Sequence, residues 1–205
     1  MEVSSDVEAQ AMAMPRTDPA AAADGFAELE RLWYELEPPE GVRIELIDGE
    51  LVVSPTGSVW HSAVIDKLMD QLFDLKRRHD WVFHTYLTMH IPATRERLIP
   101  DLMVTAADAP AFGECELLAS GALLVAEVVS PWSRRRDREQ KPRAYAQGGV
   151  PLYLLIDRFA KPPTVTLFSQ PGEDGYGQRQ VAAAGEPLRL PKPFGIGLDT
   201  ARLLG

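Results

Sequence analysis

The sequence predicts a mixed α/β domain, and three observations carry that prediction. Segments with apolar residues at helical spacing alternate irregularly with short runs rich in Val, Ile, Leu and Tyr. Their order is helix, hairpin, helix, strands, helix, strands, which is not the regular βαβ alternation of a parallel array. With 205 residues, 45% of them hydrophobic and 25% charged, the chain suffices for one full-sized core and is short for two.

Residues 1–24 have no periodicity and are rich in Ala and small polar residues, so they are expected to form a disordered acidic lead to a single domain over residues 25–205. Asp24 is the expected N-cap of a helix through "GFAELERLWYELE", where Phe26, Leu29, Leu32, Trp33 and Leu36 share a face before Pro38 and Pro39 end it. "RIELIDGELVV" alternates apolar and polar residues around Asp48-Gly49, a pair suited to the positive φ angles of a two-residue hairpin turn. Val64, Leu68, Leu72 and Leu75 mark a helix in "SVWHSAVIDKLMDQLFDLKRRH". Strands are expected in "WVFHTYLTMHI", "IPDLMVTA", "ALLVAEVVS", "PLYLLID" and "TVTLFS", and a helix from Asp137 to Gln147 that Gly148-Gly149 ends. The sequence has no internal repeats.

The net charge of −9 is unevenly spread. Residues 1–40 hold ten acidic residues against Arg16 and Arg31, a net of −8, so residues 41–205 are almost neutral. Within them "RRRDREQKPR", Arg134 to Arg143, carries six bases and two acids. It reads either as a solvated face or as a phosphate-contacting surface. The single Cys115 excludes an internal disulfide and a cysteine-rich zinc site. No apolar run approaches the ~20 residues of a membrane span, and the N-terminus is acidic where a signal peptide is basic. A cytoplasmic chain with no membrane partner is expected. There is no G-x-G-x-x-G, P-loop, G-x-S-x-G or H-E-x-x-H motif, and His61, His79, His84 and His90 lack metal-ligand spacing. His61, near a helix start, is the histidine of interest.

"LLVAEVVSP", Leu123 to Pro131, has the composition of a strand covered on both faces except at Glu127. A lone ionised carboxylate in an apolar interior is costly, so it pairs, neutralises or holds a metal. Asp101, at the start of the apolar strand in "LIPDLMV", is a candidate companion. Two embedded carboxylates brought together repel unless a divalent cation lies between them, and Mg²⁺ takes one or two carboxylates plus waters and phosphate oxygens. Phosphodiester hydrolysis is the chemistry such a site suits. The competing reading makes Asp101 a turn residue and Glu127 a structural ion-pair partner.

Pro100-Asp101, Glu127 in "AEVVSP", Asp137, Lys141, Tyr145, "GGVPLYLLID", and "ELIDGELVVSP" followed by His61 resemble, in order and spacing, the Uma-two family of predicted PD-(D/E)XK endonucleases. The resemblance covers residues 40 to 200. It implies a restriction endonuclease-like core, with a mixed central sheet flanked by helices, and Mg²⁺-dependent cleavage of DNA, with Mn²⁺ an alternative ion. It implies Asp101, Glu127 and the carbonyl of Val128 as metal ligands. The motif lysine is absent from its place, which is Val129, and the resemblance points instead to Lys141, where Asp137, Lys141 and Tyr145 share a helix face. The alternative there is an exposed Asp137–Lys141 pair. Pro142 is out of place inside a helix and puts Lys141 at a helix start or kink. Glu45 matches the family's early glutamate and is the candidate third carboxylate, with Glu50 in reserve. A homodimer is a further expectation. The alternative to a nuclease is a module that keeps the scaffold and binds DNA or a protein without cutting.

Overall fold

The computed structural model describes residues 19–205. Helix α1 (Pro19–Glu35) begins five residues before the expected cap at Asp24. Proline fits the first helical turn, where its missing N–H is not needed, and the four alanines that follow favour helix. The expected disordered lead is thus corrected at residues 19–24, and its remainder lies outside the described residues. Strands β1 (Val42–Ile47) and β2 (Glu50–Pro55) pair with Ile47 opposite Glu50, leaving Asp48 and Gly49 as the turn at φ 51° and 74°. Gly49 is needed twice over, because a Cβ there would also meet the Phe26 ring at 3.3 Å. Trp33 of α1 donates its indole N–H to the Ile44 carbonyl at 3.0 Å, tying the helix to the hairpin.

Helix α2 (Val59–His79) is capped by Ser58, whose hydroxyl accepts the His61 N–H at 3.3 Å, and it buries the expected face of Val64, Leu68, Leu72 and Leu75. The expected strand "WVFHTYLTMHI" is two strands, β3 (Trp81–His84) and β4 (Thr88–Ile91), separated by Tyr86 at φ 60°. Then come β5 (Glu96–Leu98), β6 (Leu102–Ala106), β7 (Ala111–Phe112), β8 (Glu116–Leu118) and β9 (Ala122–Val128). A π-helical turn, Arg136–Gln140, runs into α3 (Lys141–Gln147). The chain finishes with β10 (Leu152–Asp157), β11 (Thr164–Gly172), β12 (Gly175–Ala183), β13 (Leu188–Arg189), β14 (Gly197–Leu198) and α4 (Thr200–Leu204). Among the described residues no helix is long and apolar enough to cross a membrane.

The strands form two six-stranded mixed sheets rather than one central sheet, ordered β2-β1-β5-β4-β8-β7 and β12-β11-β10-β9-β6-β3, with β13 and β14 as a separate pair. The break at Tyr86 is the physical reason, since it sends β3 into the second sheet and β4 into the first. Side chains of the second sheet alternate between two cores. Leu102, Val104, Leu124, Ala126 and Val128 pack with α2, whereas Met103, Val125 and Val129 pack with Met89 and Ile91 of β4 and with Tyr145 of α3. The strand around Glu127 is therefore covered on both faces.

Candidate active site

Alternation places the carboxylates. Asp101 immediately precedes β6, whose Leu102 pairs with Ala126 of β9, and it shares the face of Met103. Glu127 shares the face of Val125 and Val129. Both therefore face the space between the two sheets and α3. Into the same space β1 sends Arg43 and Glu45, two residues apart on one face, and α2 sends His61 from its first turn.

Asp101 is the hub of one half of the cluster. It accepts from Arg43 Nη1 at 3.0 Å and from the Val128 N–H at 2.8 Å. His61 Nε2 lies 2.6 Å from its Oδ2, a short polar contact rather than a well-aligned hydrogen bond. Lys141 is the hub of the other half. Its ammonium lies 2.7 Å from Glu127 Oε1, 3.3 Å from Glu45 Oε1 and 3.7 Å from Asp137 Oδ1. Tyr145 donates its hydroxyl to the same Glu127 oxygen at 2.6 Å, the Ile99 N–H donates to Glu45 at 2.8 Å, and Ser133 donates to Asp137. The expected residues Asp101, Glu127, Glu45 and Lys141 thus come together, whereas Glu50 is exposed on the far end of β2.

Lys141 reaches the cluster from a helix because its own backbone is unusual. Its N–H donates to the Arg136 carbonyl, five residues back, so the π turn occupies the stretch where a regular helix would press the Pro142 ring against the Arg138 carbonyl. The expected helix start at Asp137 is corrected accordingly. Lys141 is only 1% exposed, which overturns the exposed-pair reading and sets it apart from the exposed bases of the segment. The rest of that basic segment is heterogeneous, since Arg138 pairs with Asp157 at 2.8 Å and Arg135 with Glu139 at 3.7 Å. Arg43, Ser133 and His61 complete the cluster. The signal for Arg43 was its position two residues before Glu45 in an alternating strand.

Burial works against ionisation of Asp101, but His61, Arg43 and Lys141 outweigh it and hold the carboxyl well below its usual range. Burial raises Glu127 well above its ordinary value, with Asp101, Asp137 and Glu45 adding to the rise and Lys141 opposing it. Asp137 is pushed up to about 6, first by burial. Burial also disfavours the Lys141 ammonium, yet Glu127, Glu45 and Asp137 more than compensate and keep it charged.

The donor set suits a hard divalent cation. Four carboxylates contact two fixed cations, Arg43 and Lys141, so carboxylates outnumber the cations that face them. Asp137 Oδ1 is buried without a hydrogen-bond partner. Among the described residues no three His, Cys, Asp or Glu side chains are gathered as ready metal ligands. Any fit is therefore that of a two-carboxylate site completed by carbonyl and water oxygens. A cavity of about 160 Å³, lined in part by Glu45, His61, Lys141 and Arg136, opens the cluster to solvent. A larger one of about 600 Å³, by Phe26 and Glu96, touches none of these residues.

Residues 26–202 match the Uma2 family, described as "Putative restriction endonuclease". This chain belongs to that family. A solved structure, titled as a "putative nuclease belonging to DUF820 from Anabaena variabilis ATCC 29413", is similar to this Uma2 chain with a TM-score of 0.67 at 17% identity, over 85% of this chain and 96% of that one. That likeness shows a shared fold. No curated protein matches the chain.

Proposed function

We propose that this Uma2 chain is a Mg²⁺-dependent endodeoxyribonuclease, able to use Mn²⁺, with Asp101, Glu127 and the Val128 carbonyl as metal ligands. The observation that carries the proposal is a buried cluster in which Lys141 contacts Glu127, Glu45 and Asp137 and Arg43 contacts Asp101, with Arg43, Glu45, His61 and Lys141 lining a solvent-reaching cavity, in a chain of this family. Both Lys141 and Tyr145 bond Glu127 Oε1, which leaves Oε2 as the oxygen for a cation. A bound cation would acidify a water and neutralise charge building on the phosphate oxygens.

The chain's own residues do the rest. Lys141 places a fixed positive charge beside Glu127, where it stabilises the negative charge that develops on the phosphoryl group. Glu45 and Asp137 hold that ammonium charged and in position. Arg43 and His61 orient Asp101 and keep it ionised. The same pairing favours a second reading, a binding module in which Arg43, His61 and Lys141 have replaced the cation.

Incubation of supercoiled plasmid and of single-stranded circular DNA with the full chain tests the proposal. Nicking in Mn²⁺ or Mg²⁺, its absence in chelator, and a loss of about 100-fold or more in Asp101→Asn, Glu127→Gln and Lys141→Met are expected. Nicking that survives chelator or Glu127→Gln would overturn it, and DNA binding with no cleavage in either ion would favour the module.

A further inference from the structure

The mouth of the cavity differs in chemistry from its floor. Trp132 is 76% exposed there, beside Pro131 and close to the cluster in sequence and space. Its loop is not slack. The Ser130 N–H donates to the Ser133 hydroxyl at 3.0 Å, the Ser133 N–H donates to the Ser130 hydroxyl at 3.1 Å, and Ser133 is bonded in turn to Asp137. The chain therefore spends a reciprocal clamp on holding a large apolar ring in water, which costs hydrophobic free energy unless something covers the ring.

Two cations line the same cavity. Arg158 lies over the Trp60 ring at 4.0 Å, so its guanidinium is held at the mouth by stacking. Arg136 lines the same cavity, with its Nε buried and without a hydrogen-bond partner. Among the described residues neither has a carboxylate within ion-pair distance, unlike Arg135 and Arg138. On a chain of net charge −9, a mouth with two uncompensated guanidinium groups and an exposed indole is a local exception.

We propose that the site takes single-stranded DNA, with an unpaired base stacked on Trp132 and the adjoining phosphates on Arg158 and Arg136. The proposal rests on the nuclease reading for its consequence and on the mouth for its evidence. Guanidinium groups meet phosphate in any nucleic acid, but an aromatic ring needs an open base face. In a duplex both faces are covered by neighbours, and exposing one costs unstacking and unpairing. A ring beside the phosphate site thus sets the substrate class as well as adding affinity.

Fluorescence anisotropy in chelator, at low salt, with a labelled single-stranded oligonucleotide and with its blunt duplex, tests this without requiring cleavage. The wild type is expected to bind the single strand about tenfold or more tightly than the duplex. Trp132→Ala should weaken single-strand binding by about 5- to 150-fold, with duplex binding and melting temperature unchanged, and Trp132→Phe should recover most of the loss. Arg158→Gln should weaken both and lower the salt slope by about one. Equal or tighter duplex binding, binding of neither form, or an unaffected Trp132→Ala overturns the inference. Metal-dependent nicking with an indifferent Trp132 would leave the nuclease reading standing alone, whereas Trp132-dependent binding with no cleavage would sink the nuclease reading alone.

Discussion

Lys141 lies within 3.7 Å of Glu127, Glu45 and Asp137, so Lys141 and Glu127 respond differently to loss of a charge. Lys141→Met strands three buried carboxylates and is expected to cost about 3–5 kcal/mol in chelator. Glu127→Gln keeps the shape, leaves Lys141 two carboxylates and relieves repulsion from Asp101, so it should melt within about 1 kcal/mol of the wild type, or above it. Melting curves that rank these variants the other way would make Glu127 the structural anchor. Proton linkage adds a second check. Asp137 is raised from 3.8 to about 6, so between these values the folded state holds a proton that the unfolded chain has lost. Metal-free stability should therefore fall as pH rises from about 4 to about 6, and Asp137→Asn should flatten that slope; a wild-type stability that climbs over this window would refute the assignment. Asp101 and Glu127 were legible in the sequence because a carboxylate inside an apolar strand is anomalous. Arg43 was passed over because an arginine near a strand's start is ordinary until the partner sheet is known.

The elements that carry the cluster were legible to different depths. Helix α2 and the β1–β2 hairpin follow from apolar spacing and from Asp48-Gly49, signals confined to adjacent residues. The split between β3 and β4 was not, because the apolar residues of "WVFHTYLTMHI" suit a strand throughout, and only tertiary pairing sends its two halves to different sheets. The π turn before Pro142 was half legible: the proline announced a disturbance, but its form depends on the pull of the buried carboxylates on Lys141. The far end of α3 is fixed by Gly148, where a Cβ would come within 2.9 Å of the Ala119 Cβ and 3.2 Å of Ile91. Gly148→Ala should thus cost about 1–3 kcal/mol by overpacking and, through α3, lower cleavage by more than a change at the exposed Gly149 does. Equal melting temperatures for the wild type and Gly148→Ala would show that α3 is not pinned there.

For the molecule as a whole, charge and fold act on separate terms. Residues 1–18 carry Glu2, Asp6, Glu8 and Asp18 against Arg16, a net of −3. Their deletion should tighten DNA binding at low salt, with the gain shrinking as salt rises, and a gain that is constant in salt would exclude a charge effect. The fold was legible as mixed α/β, and the family resemblance supplied the nuclease-like core, but the division into two sheets with the cluster between them needed long-range contacts that no local pattern carries. The proposed cation site and a self-paired polar core differ in their response to a divalent ion. The most direct measurement is the melting temperature of the wild type and Glu127→Gln, each in chelator and in excess Mn²⁺. Binding to the native state alone contributes about 2.7 kcal/mol at 100 times the dissociation constant, so the wild type should rise by about 5–11 °C with Mn²⁺ and Glu127→Gln should not. A wild type that melts at the same temperature with and without Mn²⁺ would make the cluster a self-paired polar core and rule out the cation site.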